Sequence, residues 1–160
     1  HLYSRSPLLN GRGSYLASVA ANFLLRNIGY HWTVTLDGEA AEGDFALVSV
    51  CNGRYYGGGS TPVPEARMDD GVLNTILVRK ISKLSFARLF RVYSAGNYRQ
   101  LPTVARSVTA REIRIRSEAE EIVTCLDGEC FRSREVVLRL ADKRVNFFGP
   151  KGCDPNATAR

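Results

Sequence analysis

The feature that most constrains this chain is a succession of short β-type segments closed by Asp-Gly turns. Tyr30–Leu36 is rich in β-branched and aromatic residues, and Trp32, Val34 and Leu36 alternate with His31, Thr33 and Thr35. A period of two marks a strand with one dry face. Asp37-Gly38 follows, a pair suited to a tight hairpin turn. Asp44–Cys51 is a more continuously apolar strand, and Val72–Val78 is another. Strand chemistry resumes at Val104, and Ile113 and Ile115 alternate with Arg114 and Arg116. Ile122–Leu126, a second Asp-Gly pair at 127–128, Glu135–Leu140 and Val145–Phe148 complete the β-rich second half. Leu-Asp-Gly-Glu occurs twice, at 36–39 and 126–129. Chemically this is one hairpin turn used twice.

Two helices interrupt the strands. Ser14 is a plausible N-cap, Leu16, Val19, Ala20, Phe23 and Leu24 fall at helical spacing over Tyr15–Asn27, and Gly29 ends the run. Ser82 caps a second helix over Lys83–Ser94, stopped by Gly96. Strands run consecutively and the helices do not alternate with them. The fold predicted is mainly β: an antiparallel β-sandwich or open barrel with two peripheral helices. Residues 1–14 read as a polar lead-in or interdomain linker, 15–148 as the β-domain, and 149–160 as a tail.

Composition limits the function classes. The chain has 160 residues, of which 44% are hydrophobic, so it can bury a core. The longest apolar run, Phe45–Cys51, is far short of the ~20 residues that a membrane-spanning helix needs. A net charge of +6 suits nucleic acid, anionic headgroups or phosphorylated substrates. The four cysteines, Cys51, Cys125, Cys130 and Cys153, form no CxxC, and with two histidines a zinc site is not expected. They read as reduced, structural cysteines of a cytosolic protein. The only methionine is Met68 and the chain opens at His1, so an upstream segment is expected to have been removed.

Three clusters carry possible chemistry. Asn52–Ser60 holds four glycines, but no Lys-Ser/Thr follows and Thr-Pro-Val-Pro comes next. Walker and dinucleotide loops both feed a helix, so those readings fail and the cluster reads as a loop with unusual backbone angles. Asp69-Asp70-Gly71 could collect oxygens around a divalent cation, or be an acidic turn leading into a strand. Glu129, after a turn glycine, could serve as a general base or be an ordinary exposed turn residue. No GxSxG elbow exists, so hydrolase chemistry lacks support. The second helix interleaves Lys83, Arg88 and Arg91 with Phe86, Leu89, Phe90 and Tyr93. Its apolar stripe is expected to pack on the sheet, with a resting place on an anionic membrane as the alternative.

The order of these clusters is specific. Glu42-Gly-Asp-Phe-Ala-Leu-Val-Ser-Val-Cys-Asn-Gly-Arg-Tyr-Tyr-Gly-Gly-Gly59 is followed by Pro62-Val-Pro-Glu-Ala-Arg-Met-Asp-Asp-Gly-Val-Leu73, and then by Leu126-Asp-Gly-Glu129. From about Tyr15 to Phe148 the chain resembles the C-terminal domain of the diacylglycerol kinase / sphingosine kinase family, especially its bacterial soluble lipid kinases. The resemblance implies a β-sandwich that is the second domain of a two-domain kinase. The first domain would carry a Gly-Gly-Asp-Gly-Thr phosphate loop, a sequence this chain does not contain. ATP, the co-substrate, would sit between the domains. The resemblance implies a Mg²⁺ site at Asp70, with backbone carbonyls of Arg67 and Val72. It implies a proton-accepting role for Glu129. It also places Asn52, Gly53, Gly57, Gly58 and Gly59 along the interdomain cleft. Met68, Val72, Asn74 and Cys130 depart from residues frequent in the family.

The implied reaction transfers the γ-phosphoryl of ATP to a lipid hydroxyl, diacylglycerol-like, with this domain inactive alone. The implied partners are a membrane-borne lipid substrate and the N-terminal kinase domain, with a homodimer possible. The expected location is the cytoplasm, peripheral at a membrane. Two other classes compete. One is a stand-alone β-domain that binds lipid or protein without catalysis. The other is a nucleic-acid-binding barrel, disfavoured because Arg114 and Arg116 alternate with Ile rather than with exposed aromatics.

Overall fold

The computed structural model describes residues 29–55, 61–143, 145–146 and 148–152. The elements are β1 (Tyr30–Leu36), β2 (Glu39–Cys51), β3 (Leu73–Arg79), α1 (Lys83–Ser94), a 3₁₀ turn (Tyr98–Gln100), β4 (Ala105–Ala110), β5 (Glu112–Arg116), β6 (Ile122–Leu126), β7 (Glu129–Ser133) and β8 (Glu135–Arg139). Six strands form one sheet in the order β4-β3-β2-β1-β5-β8, and β6 and β7 form a separate two-stranded ribbon. Every pairing is antiparallel and the large sheet is open. The mainly β, open, sandwich-like architecture is therefore the one predicted. Of the two peripheral helices, α1 has the predicted bounds, while the one at 15–27 lies outside the described residues.

Hairpin β1–β2 turns at Asp37 (φ 48°) and Gly38 (φ 93°), two left-handed residues in succession. That turn matches the natural twist of a hairpin and carries the pairing on to Leu36 opposite Glu39. Strand β2 consequently starts at Glu39, ahead of the apolar run that flags it in the sequence. A register shift between Phe45 and Leu47 inserts one residue. Ahead of it Ala41 and Phe45 point to the same face as Val34, and beyond it Val48 and Val50 take over. The bulge thus keeps the apolar set on one side while the strand passes from β1 to β3.

Two cores result. Val34, Leu36, Phe45, Leu73, Leu77, Ala110, Ile113, Ile115, Ile122 and Val136 form one layer across the sheet. Cys51, Val63, Ala66, Ile76, Val78, Tyr93, Tyr98 and Ala105 form the second, on the opposite face of β3. Strand β3 is buried on both sides from Leu73 to Val78, which suits its apolar character, with Asn74 and Thr75 as the polar exceptions. Helix α1 starts at Ser82, whose hydroxyl accepts the Ser85 N–H at 3.2 Å, and the chain leaves it through Gly96 at φ 76°. Phe86 and Tyr93 line its contact with Leu47, Val78 and Val104. The described part of the apolar stripe, Phe86 and Tyr93, therefore faces the sheet.

Two expectations need correction. The strand predicted over Val145–Phe148 is not found among the described residues there: Val145, Asn146 and Phe148 carry no strand, and Val145 and Phe148 are largely or fully exposed. Strand β8 forms the edge of the sheet, and none of the described residues beyond it turns back to pair with that edge. Conversely β7, Glu-Cys-Phe-Arg-Ser, shows no strand signal of its own and is a strand because the 127–128 turn folds it back on β6.

Candidate functional site

Two of the sequence blocks meet at one end of the sheet. Cys51, the last residue of β2, pairs with Asn74 of β3. The chain leaving β2 through Asn52 and Gly53 therefore lies beside the chain entering β3 through Asp70, Gly71 and Val72. Arg54 Nε donates to the Ala66 carbonyl at 3.1 Å. A Cβ on Gly53 would stand 3.4 Å from Met68 Cγ, so the backbone there runs close along the neighbouring loop. Asn52 is exposed and Gly53 half-buried. Gly57, Gly58 and Gly59 lie outside the described residues.

The 67–72 loop is exposed and rich in oxygen. Arg67 grips Asp69 with a two-pronged ion pair, Nε to Oδ1 at 3.1 Å and Nη2 to Oδ2 at 3.2 Å. Asp69 is thereby occupied, whereas Asp70 spends one oxygen on its own turn: the Val72 N–H donates to Asp70 Oδ1 at 3.1 Å. Gly71 bridges them at φ 75° with open space around its α-carbon, so its backbone angle alone requires glycine. Among the described residues no group of three or more His, Cys, Asp or Glu side chains is arranged to hold a metal ion. A site made of Asp70 and the carbonyls of Arg67 and Val72 is of another kind, one hard carboxylate plus backbone oxygens, and that donor set suits Mg²⁺, which keeps several waters. The exposed position of Asp70 is compatible with it.

Glu129 sits elsewhere, at the start of β7 opposite Leu126, where Asp127 (φ 48°) and Gly128 (φ 96°) repeat the β1–β2 turn. The two Leu-Asp-Gly-Glu copies thus share a backbone but not their surroundings. In the first, Asp37 accepts the Arg111 N–H at 2.9 Å and the Glu112 N–H at 2.8 Å, tying the turn to the β4–β5 corner. In the second, neither Asp127 nor Glu129 has a hydrogen-bond or ion-pair partner among the described residues, and both are exposed. Glu129 thus makes no hydrogen bond or ion pair with Asp70 or Asn52.

Sequence reasoning overlooked two features near these sites. Asn74 and Thr75 are buried polar residues in β3, and Asn74 Nδ2 and Thr75 Oγ1 have no hydrogen-bond partner among the described residues. Their only sequence signal is a polar pair inside an apolar strand. His31 lies between two carboxylates: Nδ1 stands 3.0 Å from Asp44 Oδ1, and Nε2 3.0 Å from Glu42 Oε1. The Glu42 hydrogen bond, with that of Asp44, raises the imidazole above its ordinary value. The reading of His31 as a surface residue holds, but it is the centre of an ion cluster that Lys80 joins through Asp44 at 3.6 Å.

The chain as a whole is similar to known proteins. The domain family described as "YegS C-terminal NAD kinase beta sandwich-like domain" matches residues 3–148. A Stenotrophomonas maltophilia (strain K279a) protein named "Probable lipid kinase YegS-like" is 31% identical over 114 residues, covering 71% of this chain and 37% of its own length. A Xanthomonas oryzae pv. oryzae (strain MAFF 311018) protein of the same name is 30% identical over 112 residues, 70% of this chain and 36% of its own. The chain thus spans little more than a third of the curated relatives it matches. A crystal structure of a diacylglycerol kinase from Bacillus anthracis str. Sterne superposes with a TM-score of 0.55 at 22% identity, over 76% of this chain and 44% of that one. That likeness concerns the fold. With an open antiparallel sheet, a separate ribbon bearing the second Leu-Asp-Gly-Glu and a family match over nearly the whole length, the chain belongs to the YegS C-terminal, NAD-kinase-like β-sandwich family of lipid-kinase domains.

Proposed function

We propose that this domain is the C-terminal part of a kinase that moves the γ-phosphoryl group of ATP to a lipid hydroxyl, diacylglycerol-like, with Glu129 accepting the hydroxyl proton. The single observation that carries the reading is the contrast between the two Leu-Asp-Gly-Glu turns. The first is locked into the sheet by Asp37, and the second holds Glu129 in solvent on a separate ribbon, free to face another domain. Phosphoryl transfer asks a protein chiefly to position reactants and neutralise charge. A carboxylate at the rim of an interdomain cleft supplies the proton acceptor that such a reaction needs.

Asn52 and Gly53 would line that cleft, together with Gly57, Gly58 and Gly59. The ATP phosphates would be held mainly by an N-terminal domain. Asp70, with the carbonyls of Arg67 and Val72, would hold Mg²⁺, whose contribution is to brace the loop entering β3. The basic character of the chain suits a substrate carried in an anionic membrane, approached from the cytoplasm. In this reading the isolated domain is inactive.

The test is Glu129→Gln in the complete kinase, assayed with diacylglycerol vesicles and ATP. Turnover should fall at least ~100-fold, the low end for loss of a general base. The melting temperature should not move, because Glu129 makes no contact that folding depends on. Unchanged turnover removes Glu129 from the mechanism.

A further inference from the structure

The β6–β7 ribbon carries a second reactive group besides Glu129. Cys125 and Cys130 face each other directly across the two strands, one step from the turn. A two-residue turn makes the pair that closes it, Leu126 and Glu129, a hydrogen-bonded pair. Antiparallel ladders alternate, so Cys125–Cys130 is a non-hydrogen-bonded pair, with α-carbons about 4.5 Å apart and side chains drawn together. Disulfides span α-carbons about 4.4–6.8 Å apart, so this pair lies within reach. Both cysteines are exposed. They lie on the face of the ribbon opposite Ile122, which is buried in the sheet core. The proximity of Cys125 raises the Cys130 thiol above its ordinary value.

We propose that Cys125 and Cys130 are a thiol modification site, closing to a reversible cross-strand disulfide on reaction with a small-molecule disulfide such as glutathione disulfide. One cysteine loses its proton to solvent, and its thiolate attacks the R–S–S–R bond. A mixed disulfide forms and one RS⁻ leaves, taking up a proton. The second cysteine, deprotonated in turn, attacks the protein sulfur of that mixed disulfide and expels the second RS⁻, which is protonated likewise. The pair gives up two electrons, the small disulfide accepts them, and two RSH are released. Exposure and the short span place the product among labile disulfides rather than structural ones. The reading as reduced, structural cysteines meets exposed, free thiols at these two. Cys51 keeps it, being buried, with its thiol raised by burial.

The experiment is peptide mapping of the full chain after exposure to glutathione disulfide under native conditions, followed by an acid quench and alkylation in denaturant. Trypsin releases both cysteines in one peptide, Ser117–Arg132. The expected result is that this peptide loses the mass of two hydrogens and resists alkylation, while the Cys51 peptide is fully alkylated. Dithiothreitol should restore two alkylatable thiols. In Cys125→Ser the reaction should stop at a glutathione adduct on Cys130, and in Cys130→Ser at one on Cys125. Stable glutathione adducts on the unaltered chain, or a link from this peptide to Cys153, would overturn the proposal. So would a peptide that remains alkylatable at both cysteines.

Discussion

Asp37 and Glu112 are joined two ways: the Asp37 N–H donates to the Glu112 carbonyl at 3.1 Å, and the Asp37 carboxylate accepts the N–H of Glu112 at 2.8 Å, with that of its neighbour Arg111 at 2.9 Å as a third bond. A hairpin turn thereby becomes a clamp on the corner where β4 passes into β5. Asp127 occupies the same backbone position, φ 48° in both, without such partners. Comparing Asp37→Ala with Asp127→Ala therefore cancels the cost of placing alanine in a left-handed turn. The first should lower the melting temperature by several degrees more than the second. Equal losses would mean that the clamp contributes nothing.

The same clamp has a pH signature. The backbone hydrogen bonds of Glu112, then Arg111, hold the Asp37 carboxyl below its ordinary value of 3.8. A depressed carboxylate adds stability that is fully present above the unfolded value and is lost as pH falls through the folded one. Acid melting curves of the parent and Asp37→Asn should therefore differ most above pH 3.8 and converge in stronger acid. Curves parallel throughout would show the carboxylate to be unlinked to folding.

His31 runs the other way. Glu42 and Asp44 raise its folded value above 6.5. A raised imidazole adds stability that is complete below the unfolded value and disappears as pH climbs through the folded one. His31→Gln should leave the protein less stable than the parent at pH 5.5, and the gap should close as pH rises beyond the folded His31 value. Because the cluster is exposed, added salt should shrink the gap. The assigned imidazole shift in a proton NMR titration checks the direction, and a midpoint at or below 6.5 contradicts it.

Most of the fold could be read from the sequence because local and tertiary signals agree. Trp32, Val34 and Leu36 alternate as a half-buried strand should, and Val34 is indeed fully buried. Ser82 and Gly96 bound α1 by capping chemistry that needs no partner. What stayed hidden is non-local. The two copies of Leu-Asp-Gly-Glu are the same residues, and only the arrival of the β4–β5 corner beside one of them separates clamp from free hairpin. By contrast the facing of Cys125 with Cys130 follows from the Asp127-Gly128 turn between them, although β7 itself has no strand pattern of its own. At the site, the meeting of the Asn52 and Asp70 loops follows from pairing Cys51 with Asn74, which is a fact of the sheet.

Gly96 tests the packing of α1. It stands at φ 76°, and a Cβ there would lie 2.4 Å from Pro64 Cγ and 2.5 Å from the Thr61 carbonyl oxygen. Left-handed backbone costs an L-residue about 1–2 kcal/mol, and the contact with main chain has no flexible end to yield. Gly96→Ala should therefore destabilise by about 2 kcal/mol or more, measured by urea unfolding. Gly38→Ala, in open space at φ 93°, should lose only the backbone share. If the two cost the same, the 61–64 loop is not packed against the end of α1 as described.

Asp70 serves its turn in this structure and an ion in the proposed reading, and the two roles separate by substitution. Its Oδ1 accepts the Val72 N–H, which aligns the chain for entry into β3. Asp70→Asn keeps an acceptor for that bond and removes the charge, whereas Asp70→Ala removes both. Without added metal, Asn should melt near the parent and Ala lower, by about 1 kcal/mol for one lost hydrogen bond. With millimolar Mg²⁺ the parent alone should gain, since only a state that binds the ion is stabilised by it. A parent indifferent to Mg²⁺ sinks the structural ion. An Asn variant that keeps the whole gain places the ion elsewhere than on Asp70.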